Sequence, residues 1–470
     1  MSFLANVGRL LAFRVLGQVG NLFIIIYLTR SMAPGKLGEY FYFESVLGMA
    51  SVFATLGVAG ATEKFISEGT EENSWFTTGF ILIFSFSIVS SILLTIINTF
   101  KIEVIIPDLI PLLFIALTSK QLLTFLRHSF RAEFRAAMGG ALDFIRIVLF
   151  IVVSISFLRL EFGYIGIISA AILARVTVLP IGISQSKYSF VRPSFTKASK
   201  LLDFGKYYFI TSFGSKVFHF SDVILIGILL TKSGVGKYEV TWRLILAGIM
   251  LNGTIAGTAF SYISQSSSEM DLNLVRKNIE QSLRYALIIP FGVLGGAIVI
   301  GTDMIELVFS TEYTSDNLLI IILAFGFVFQ AFYFLFSRSL VAVNKTRQSF
   351  YATNLGVISN ISLNLFLIPK FGILGAAAAT SLSFMIAAFI FGYYLMRYVE
   401  FKLPYQTILI QVVGSTVMTA SLILARGTLK PLSSLNIIFL FLLGSMIYFS
   451  VLFTPQRTRS DIKNIVSEFK

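Results

Sequence analysis

Apolar runs of about 20 residues recur along the whole of this sequence. Each run is long enough to cross a hydrocarbon core of about 30 Å as a helix that rises about 1.5 Å per residue. Hydrophobic residues make up 56% of the 470 residues, charged residues make up only 13%, and the mean hydropathy is +0.84. A soluble domain is more polar than this. The sequence therefore predicts an all-α polytopic membrane protein with no separate soluble domain.

Composition also excludes several kinds of chemistry. The chain has no cysteine and only two histidines, His128 and His219, so haem, iron-sulfur and thiolate-zinc centres lack their ligands. We expect neither a metal site nor a cofactor. The net charge of +13 would favour nucleic acid in a soluble protein, but Lys and Arg concentrate in the cytoplasmic loops of membrane proteins. Nucleic acid is therefore not expected as a partner.

Gly, Pro and charged residues divide the sequence into about fourteen transmembrane helices. Residues 1–20 show no small-residue cleavage site, so we expect the first helix to stay in the protein rather than to be removed as a signal peptide. The fourteen helices are expected to start near Leu10, Gly38, Trp75, Val104, Ala141, Gly163, Phe204, Gly236, Gln281, Asp316, Phe350, Gly372, Tyr405 and Pro431.

The distribution of charge predicts the orientation in the membrane. With a cytoplasmic N-terminus, the loop 302–316, which has four acidic and no basic residues, is external. Both termini are then cytoplasmic, in a cell (cytoplasmic or inner) membrane. The cytoplasmic connections and tail carry the basic residues Lys120, Arg127, Arg131, Arg135, Lys187, Arg192, Lys197, Lys200, Lys206, Arg276, Lys277, Arg284, Arg338, Lys345, Arg347, Arg457, Arg459 and Lys463.

Two internal sequence matches indicate a repeat. Leu37-Gly38-Glu39-Tyr40 is similar to Val235-Gly236-Lys237-Tyr238, and Phe162-Gly163-Tyr164-Ile165-Gly166 is similar to Phe371-Gly372-Ile373-Leu374-Gly375. They predict two six-helix lobes, 1–200 and 201–403, followed by a terminal helix pair and tail, 404–470. Lobes with an even number of spans insert in the same orientation, so we expect a pseudo-two-fold axis along the membrane normal and a transport path between the lobes.

Three stretches resemble the polysaccharide (O-antigen-type) flippase family of the multidrug/oligosaccharidyl-lipid/polysaccharide exporter superfamily. The first runs from Leu28-Thr29-Arg30 to Tyr40, the second from Ser221-Asp222-Val223 through Trp242-Arg243-Leu244, and the third from Asn360 to Ala377. The resemblance implies a transporter rather than an enzyme, a V-shaped cavity between two lobes and alternating access. It implies a polyprenyl-phosphate-linked or polyprenyl-pyrophosphate-linked oligosaccharide, flipped from the cytoplasmic to the outer leaflet. Membrane lipids and polysaccharide assembly enzymes would be its partners.

Charged residues inside the predicted spans are the candidate functional groups, because each costs about 2.5–3.5 kcal/mol at a helix centre without a partner or water. Lys216, His219 and Asp222 follow one another at helical spacing on the seventh helix and form one polar stripe. Lys216 is predicted near mid-bilayer. A water-filled, substrate-binding lumen and a buried ion pair that only joins helices both fit this stripe, with His219 and Asp222 as candidates for ion coupling.

Other intramembrane charges have open interpretations. Arg14 fits a cationic lumen or an interfacial, snorkelling position. Arg146 follows Asp143 by one turn, so a local ion pair and a substrate contact are both open. Arg243 matches a basic position of the flippase motif, which favours a lumenal role. Arg175 is interpreted as a boundary charge, at the end of a membrane span. Glu44 is a candidate coupling group that is expected to pair with one of these cations.

A cationic lumen made of Lys216, Arg243, Arg14 and Arg146 would suit an anionic lipid-linked sugar. Guanidinium and ammonium groups can replace the hydration that a phosphate loses when it leaves the headgroup region. A cation-coupled drug exporter of the same superfamily remains an alternative, although it would need buried negative charge. A membrane-bound glycan polymerase, ligase or transferase is a further alternative, but the sequence lacks a long external loop or paired loop carboxylates for it.

The polar segment 265–281 separates two apolar stretches of the predicted second lobe. Its apolar and charged residues alternate as expected for an interfacial amphipathic helix, although an ordinary polar linker also fits. The three serines 266–268 predict a capped start for that helix.

Overall fold

The computed structural model describes residues 3–99, 109–429 and 433–454. Within these residues the chain forms fifteen α-helices and one 3-10 helix, Thr311–Tyr313, and contains no strand. The α-helices are α1 (Phe3–Ser31), α2 (Pro34–Thr55), α3 (Val58–Ser67), α4 (Glu72–Thr99), α5 (Ile110–Ala132), α6 (Ala136–Arg159), α7 (Gly163–Gln185), α8 (Phe195–Leu229), α9 (Lys232–Ser268), α10 (Leu272–Ala286), α11 (Ile288–Val308), α12 (Asn317–Ala342), α13 (Thr346–Met396), α14 (Tyr405–Thr428) and α15 (Ser434–Leu452).

Length and composition mark ten spans among the described helices, or eleven if α2 and α3, which meet at 52°, cross the membrane together. The protein is therefore an integral, multi-pass, all-α membrane protein, as the apolar runs predicted. The number fourteen stays a prediction. α8 and α9, which carry charges such as Lys216 and Arg243, are not among the ten spans. α13 is counted as one span, although it is 51 residues long and changes direction at Gly372.

Several predicted helix starts agree with the structure. α7 begins at Gly163 and α14 begins at Tyr405. The starts expected near Val104 and Pro431 lie outside the described residues, and so does the basic tail with Arg457, Arg459 and Lys463.

The two glycines of one predicted repeat both have a positive φ angle. Gly163 has φ of 57° where α7 begins, and Gly372 has φ of 60° where α13 changes direction. This left-handed region costs a residue with a Cβ atom about 1 kcal/mol, but is open to glycine. The sequence match of 162–166 with 371–375 therefore aligns two glycines of positive φ, and the repeat stays a prediction.

The chain packs into two units, Met1–Gly236 and Lys237–Lys470. In the first unit, α1 packs on α6, α5 packs on α4 and α7, and α8 packs along α2 and α3. Phe76, Phe125 and Phe130 are fully buried at the centre of its apolar core. Because α8 belongs to this unit by its contacts, the unit ends later than residue 200. The repeat boundaries 1–200, 201–403 and 404–470 stay a prediction about the sequence.

In the second unit, α12 packs on α13, and α11 packs on α14 and α15. Its apolar residues form separate clusters, one around Leu335, Leu340 and Phe391 and another around Met418, Leu422 and Leu440. The terminal pair α14 and α15 is thus an integral part of the second unit.

The polar segment 265–281 divides between two helices, so the serine cap predicted for it is wrong. α9 continues through the three serines to Ser268 and ends where Met270 turns to a φ of 56°. The cap of α10 is instead Asp271, whose carboxylate accepts a 2.9 Å hydrogen bond from the backbone N–H of Leu274. α10 is amphipathic: Val275, Ile279 and Leu283 repeat at helical spacing and are fully buried.

Candidate functional site

A cavity of about 480 Å³ lies between α1, α5 and α6 in the first unit. Its wall is rich in charged and polar side chains, which is expensive inside a membrane unless those groups meet water or a ligand. The residues that line it are Leu10, Phe13, Arg14, Gly17, Gln18 and Asn21 from α1, Thr124, Arg127, His128 and Arg131 from α5, and Ala136, Gly139, Gly140, Asp143, Arg146 and Ile147 from α6.

Helix α5 supplies most of the charge. Lys120, Thr124, Arg127, His128 and Arg131 fall within about 100° around the helix axis, which places them along one face of the helix. Its three cations were expected in a connection between spans, but Lys120, Arg127 and Arg131 lie within α5, which extends from Ile110 to Ala132. Their cytoplasmic side stays a prediction. Helical spacing was the signal in the sequence that could have identified this face.

Asp143 joins α6 to α5 at the cavity wall. Arg127 donates a 2.7 Å hydrogen bond from Nη1 to Asp143 Oδ2, and Arg146 lies 3.5 Å from Asp143 Oδ1 through Nε. Both arginines line the cavity with the carboxylate between them. The local pair that the spacing of Asp143 and Arg146 predicted is present, but Asp143 makes its shorter contact with Arg127.

Glu44 holds a second pair of cations. Arg175 donates a 2.5 Å hydrogen bond to Glu44 Oε1, and Lys120 donates one of 3.3 Å to Glu44 Oε2. The three residues come from α2, α7 and α5. Arg175 is only 7% exposed and lies near the middle of α7, so its interpretation as a boundary charge is wrong.

Glu63 forms a third group with His128 and Arg131. Glu63 Oε2 lies 2.6 Å from His128 Nδ1, and Arg131 donates to both Glu63 oxygens at 3.0–3.2 Å. Glu63 comes from α3, and the two basic residues come from α5. The sequence pattern does not predict this contact of His128, because Glu63 and His128 are 65 positions apart.

Positive charge exceeds negative charge across these groups. Each carboxylate is held by two basic side chains, so every carboxylate in the three groups is already compensated. Removing one partner of such a buried ion pair is unfavourable. Because each carboxylate has two basic partners, the positive charge left over can attract a further anion. The groups consist of Glu44 with Lys120 and Arg175, Asp143 with Arg127 and Arg146, and Glu63 with His128 and Arg131, and Arg14 lines the same cavity.

The predicted polar stripe of α8 is divided among different surroundings. Lys216 is partly buried, with Nζ 5.4 Å from the centre of the Phe220 ring, and its charge acts on Lys120 and Arg127. His219 is exposed, whereas Asp222 is buried. Lys216 therefore joins the basic groups of α5 in the first unit.

Arg243 belongs to the second unit. It forms a 3.2 Å ion pair with Glu239, one turn earlier on α9. The structure therefore brings Arg14 and Arg146 together in one cavity, adds Lys216 near its basic groups, and gives Arg243 a partner on its own helix.

Lys197 differs from the loop residue that the sequence predicted. It lies in the first turn of α8 and is buried, with its ammonium paired to Glu71 and 5.0 Å from the centre of the Trp75 ring. A hydrogen bond from Lys197 holds the pKa of the Glu71 carboxyl below its usual range. Lys197 is therefore a buried, paired cation at the start of α8 rather than a solvated loop residue.

Comparison with known proteins gives the family. A family model described as polysaccharide biosynthesis protein matches residues 27–316. The protein named "Probable low-salt glycan biosynthesis flippase Agl15" from Haloferax volcanii is 29% identical over 449 residues, which cover 94% of each chain.

Solved structures share the fold. The lipid II flippase MurJ in an inward closed conformation aligns with a TM-score of 0.74 at 19% identity, over 95% of this chain and 98% of that one. An inward-facing multidrug resistance MATE family transporter of the MOP superfamily aligns with a TM-score of 0.63 at 15% identity, over 82% of this chain and 94% of that one. With more than half of its length matched by the family model, the chain belongs to the polysaccharide biosynthesis protein family and is a flippase-type transporter, as its resemblance to polysaccharide flippases predicted.

Proposed function

We propose that this transporter flips a polyprenyl-phosphate-linked or polyprenyl-pyrophosphate-linked oligosaccharide from the cytoplasmic to the outer leaflet by alternating access. The anionic head of the lipid binds in the cavity between α1, α5 and α6. The observation that carries the proposal is that Arg14, Arg127 and Arg146 line one cavity whose only lining carboxylate among the described residues, Asp143, pairs with Arg127 and Arg146.

Guanidinium groups suit such a cargo for a physical reason. A phosphate that leaves the headgroup region loses hydration, and charge-assisted, bidentate hydrogen bonds from arginine replace it. Gln18, Asn21 and Thr124 line the same cavity and can bind sugar hydroxyl groups. A volume of about 480 Å³ lies within the range of small-molecule sites. It suits the phosphate and the first sugar, while the polyprenyl tail stays in the lipid.

The proposed direction follows from the orientation predicted by the basic residues. With both termini in the cytoplasm, the cavity is lined by the cytoplasmic halves of α1, α5 and α6, where a newly made lipid-linked sugar would enter. The Haloferax volcanii relative is named for glycan biosynthesis, which supports a glycan cargo. A cell (cytoplasmic or inner) membrane and contact with polysaccharide assembly enzymes belong to the same proposal.

A cation-coupled drug exporter is the alternative that the fold also permits. A cationic drug would need buried negative charge that is not already neutralised. Glu44, Glu63 and Asp143 are each held by two basic side chains, which favours an anionic cargo over a cationic one.

The test is complementation in a flippase-null host that makes a surface glycan. We expect the Arg127→Gln and Lys216→Ala proteins to reach the membrane in normal amount, but to leave lipid-linked precursor inside the cell. Lys216→Arg should recover part of the export because the contact with phosphate is electrostatic first. The matched control is Arg426→Gln, which removes an arginine paired with Asp303 in the second unit. Normal glycan export by both Arg127→Gln and Lys216→Ala, or drug resistance conferred by the unaltered protein without glycan export, would contradict the proposal.

A further inference from the structure

His128 lies between a carboxylate and a guanidinium at the cavity wall. Its Nδ1 atom is 2.6 Å from Glu63 Oε2 and 2.7 Å from Arg131 Nη2. Both His128 and Arg131 line the cavity, and the Arg131 side chain is 43% exposed. The imidazole is therefore close to the proposed anion site while being held by a fixed partner on α3.

These two contacts demand opposite protonation of one nitrogen atom. A carboxylate oxygen only accepts hydrogen bonds, and a guanidinium only donates them. Nδ1 can accept from Arg131 when it carries a lone pair, or donate to Glu63 when it carries a hydrogen, but it cannot do both. In the imidazolium form Nδ1 always carries a hydrogen, so protonation favours the contact with Glu63 and opposes the contact with Arg131.

We propose that His128 is a proton-binding site that couples proton uptake to binding of the anionic headgroup. Protonation puts two cations on one carboxylate, Glu63, and so weakens its hold on Arg131. Arg131 then turns toward the cavity as an additional donor to the anion. This inference rests on the proposed function, because it assumes that the cavity binds an anion.

The charged groups around His128 support the sign of this coupling. Basic residues outnumber acidic ones, so an added proton is unfavourable in the empty cavity and becomes favourable once an anion is bound. Charged groups come from each helix that packs against α5: Glu63 from α3, Arg127 and Arg131 from α5 itself, Asp143 and Arg146 from α6, Glu44 from α2, Arg175 from α7, and Glu72 at the first turn of α4, with Arg14 of α1 across the cavity.

The coupling predicts a pH dependence of affinity. If the anion-bound state takes up a proton that the empty state lacks, affinity rises as pH falls through the range in which histidine titrates, about pH 5–8. The limit for a single proton is a tenfold change in affinity per pH unit. We expect a total gain of about fivefold between about pH 8 and pH 5.5, since screening in a water-accessible cavity reduces the effect.

The measurement is calorimetric titration of the full-length protein in detergent with citronellyl sulfate. This isoprenoid sulfate keeps one negative charge throughout the range, whereas a phosphate monoester itself titrates near about pH 6. We expect the unaltered protein to bind about fivefold more tightly at the lower pH and His128→Gln to bind with pH-independent affinity. His219→Gln tests the other histidine in the chain, and we expect it to keep the pH dependence.

Glu63→Gln gives a second variant that does not alter the histidine. Without the carboxylate, Arg131 is released at every pH, so we expect affinity at about pH 8 to increase about threefold or more. If the affinity of His128→Gln still depends on pH, or if that of His219→Gln no longer does, the proton site is overturned. Binding that is equally tight at all pH values in the unaltered protein would overturn it and leave the proposed function standing. Failure of the unaltered protein to bind the sulfate at any pH would overturn both.

Discussion

Arg127 and Asp143 are joined by a 2.7 Å hydrogen bond that links α5 to α6 at the wall of the cavity. A guanidinium that donates to an internal carboxylate binds a phosphate less tightly, because the two anions compete for the same positive charge. Asp143 therefore competes with the cargo for Arg127 and Arg146. Such competition lowers affinity, but it also gives the cations a partner after the cargo leaves.

Replacement of this competitor should have opposite effects on binding and on turnover. We expect Asp143→Asn to bind citronellyl sulfate about tenfold more tightly, because a charge-assisted hydrogen bond no longer has to be broken. Release should slow, so that lipid flipping in vesicles falls. Calorimetry and a flipping assay on the same preparation check both effects. Asp303→Asn, which removes a carboxylate paired with Arg426 in the second unit, is the control and should not alter affinity. Weaker binding by Asp143→Asn would show that Asp143 supports the anion site instead of competing for it.

Glu44 should matter for stability. Its replacement by Gln leaves Arg175 and Lys120 without a counter-charge in a largely buried setting. Breaking a buried pair in this way costs about 3–5 kcal/mol, and less where water reaches the group. We expect a loss of about 2–3 kcal/mol, measured by thermal unfolding in detergent. Glu68→Gln, at an exposed pair with Lys64, should have little effect. Equal stability of the two variants would contradict a structural role for the Glu44 group.

The close approach of α2 and α9 depends on Gly38. A Cβ atom there would lie 1.8 Å from the backbone carbonyl oxygen of Lys232, and one on Gly236 would lie 2.2 Å from that of Pro34. Because a backbone atom cannot turn aside, we expect Gly38→Ala to cost about 3 kcal/mol or to prevent folding. Gly35, on the same helix, has open space around its Cβ position, so Gly35→Ala should keep normal stability in the same thermal assay. A Gly38→Ala protein as stable as Gly35→Ala would contradict this packing.

Membrane orientation can be tested with single cysteines because the chain has none of its own. Thr311 and Lys200, which lies in the second turn of α8, are both exposed, and the two positions are predicted on opposite sides of the membrane. We expect Thr311→Cys to react with an impermeant maleimide added outside the cell and Lys200→Cys to react only after the membrane is opened. The neighbouring Lys197 is unsuitable for labelling because it is buried. Labelling of both from one side would contradict the predicted topology.

Local patterns in the sequence predicted much of the fold. Apolar length and glycine or proline breaks placed the starts of α7 and α14, and the match of residues 162–166 with 371–375 corresponds to two left-handed glycines. The break between α2 and α3 was missed, because it depends on tertiary packing. There Gly57 lies so close to α8 that a Cβ atom would be 2.1 Å from the carbonyl oxygen of Gly205.

The site was only partly predictable for a related reason. Asp143 and Arg146 are three residues apart, so helical spacing alone predicted their contact. Glu44 and Arg175 are separated by 131 positions, and their contact requires knowledge of which helices are neighbours. The face of α5 was overlooked because α5 begins at Ile110, later than the expected Val104, so that its cations were attributed to a loop.

The central claim, that the basic cavity of the first unit carries the anionic head of a lipid across the membrane, is tested most directly by lipid flipping in vesicles. Purified protein is reconstituted with a fluorescent polyprenyl-phosphate-linked sugar, and the fraction that dithionite can quench is followed in time. We predict that Arg127→Gln and Arg146→Gln lose at least about tenfold in flipping rate, since each removes a charge-assisted contact worth about 1.5–3 kcal/mol. Arg426→Gln, at an equivalent ion pair in the second unit, should keep the rate of the unaltered protein. Flipping by both cavity variants at that same rate would contradict the account.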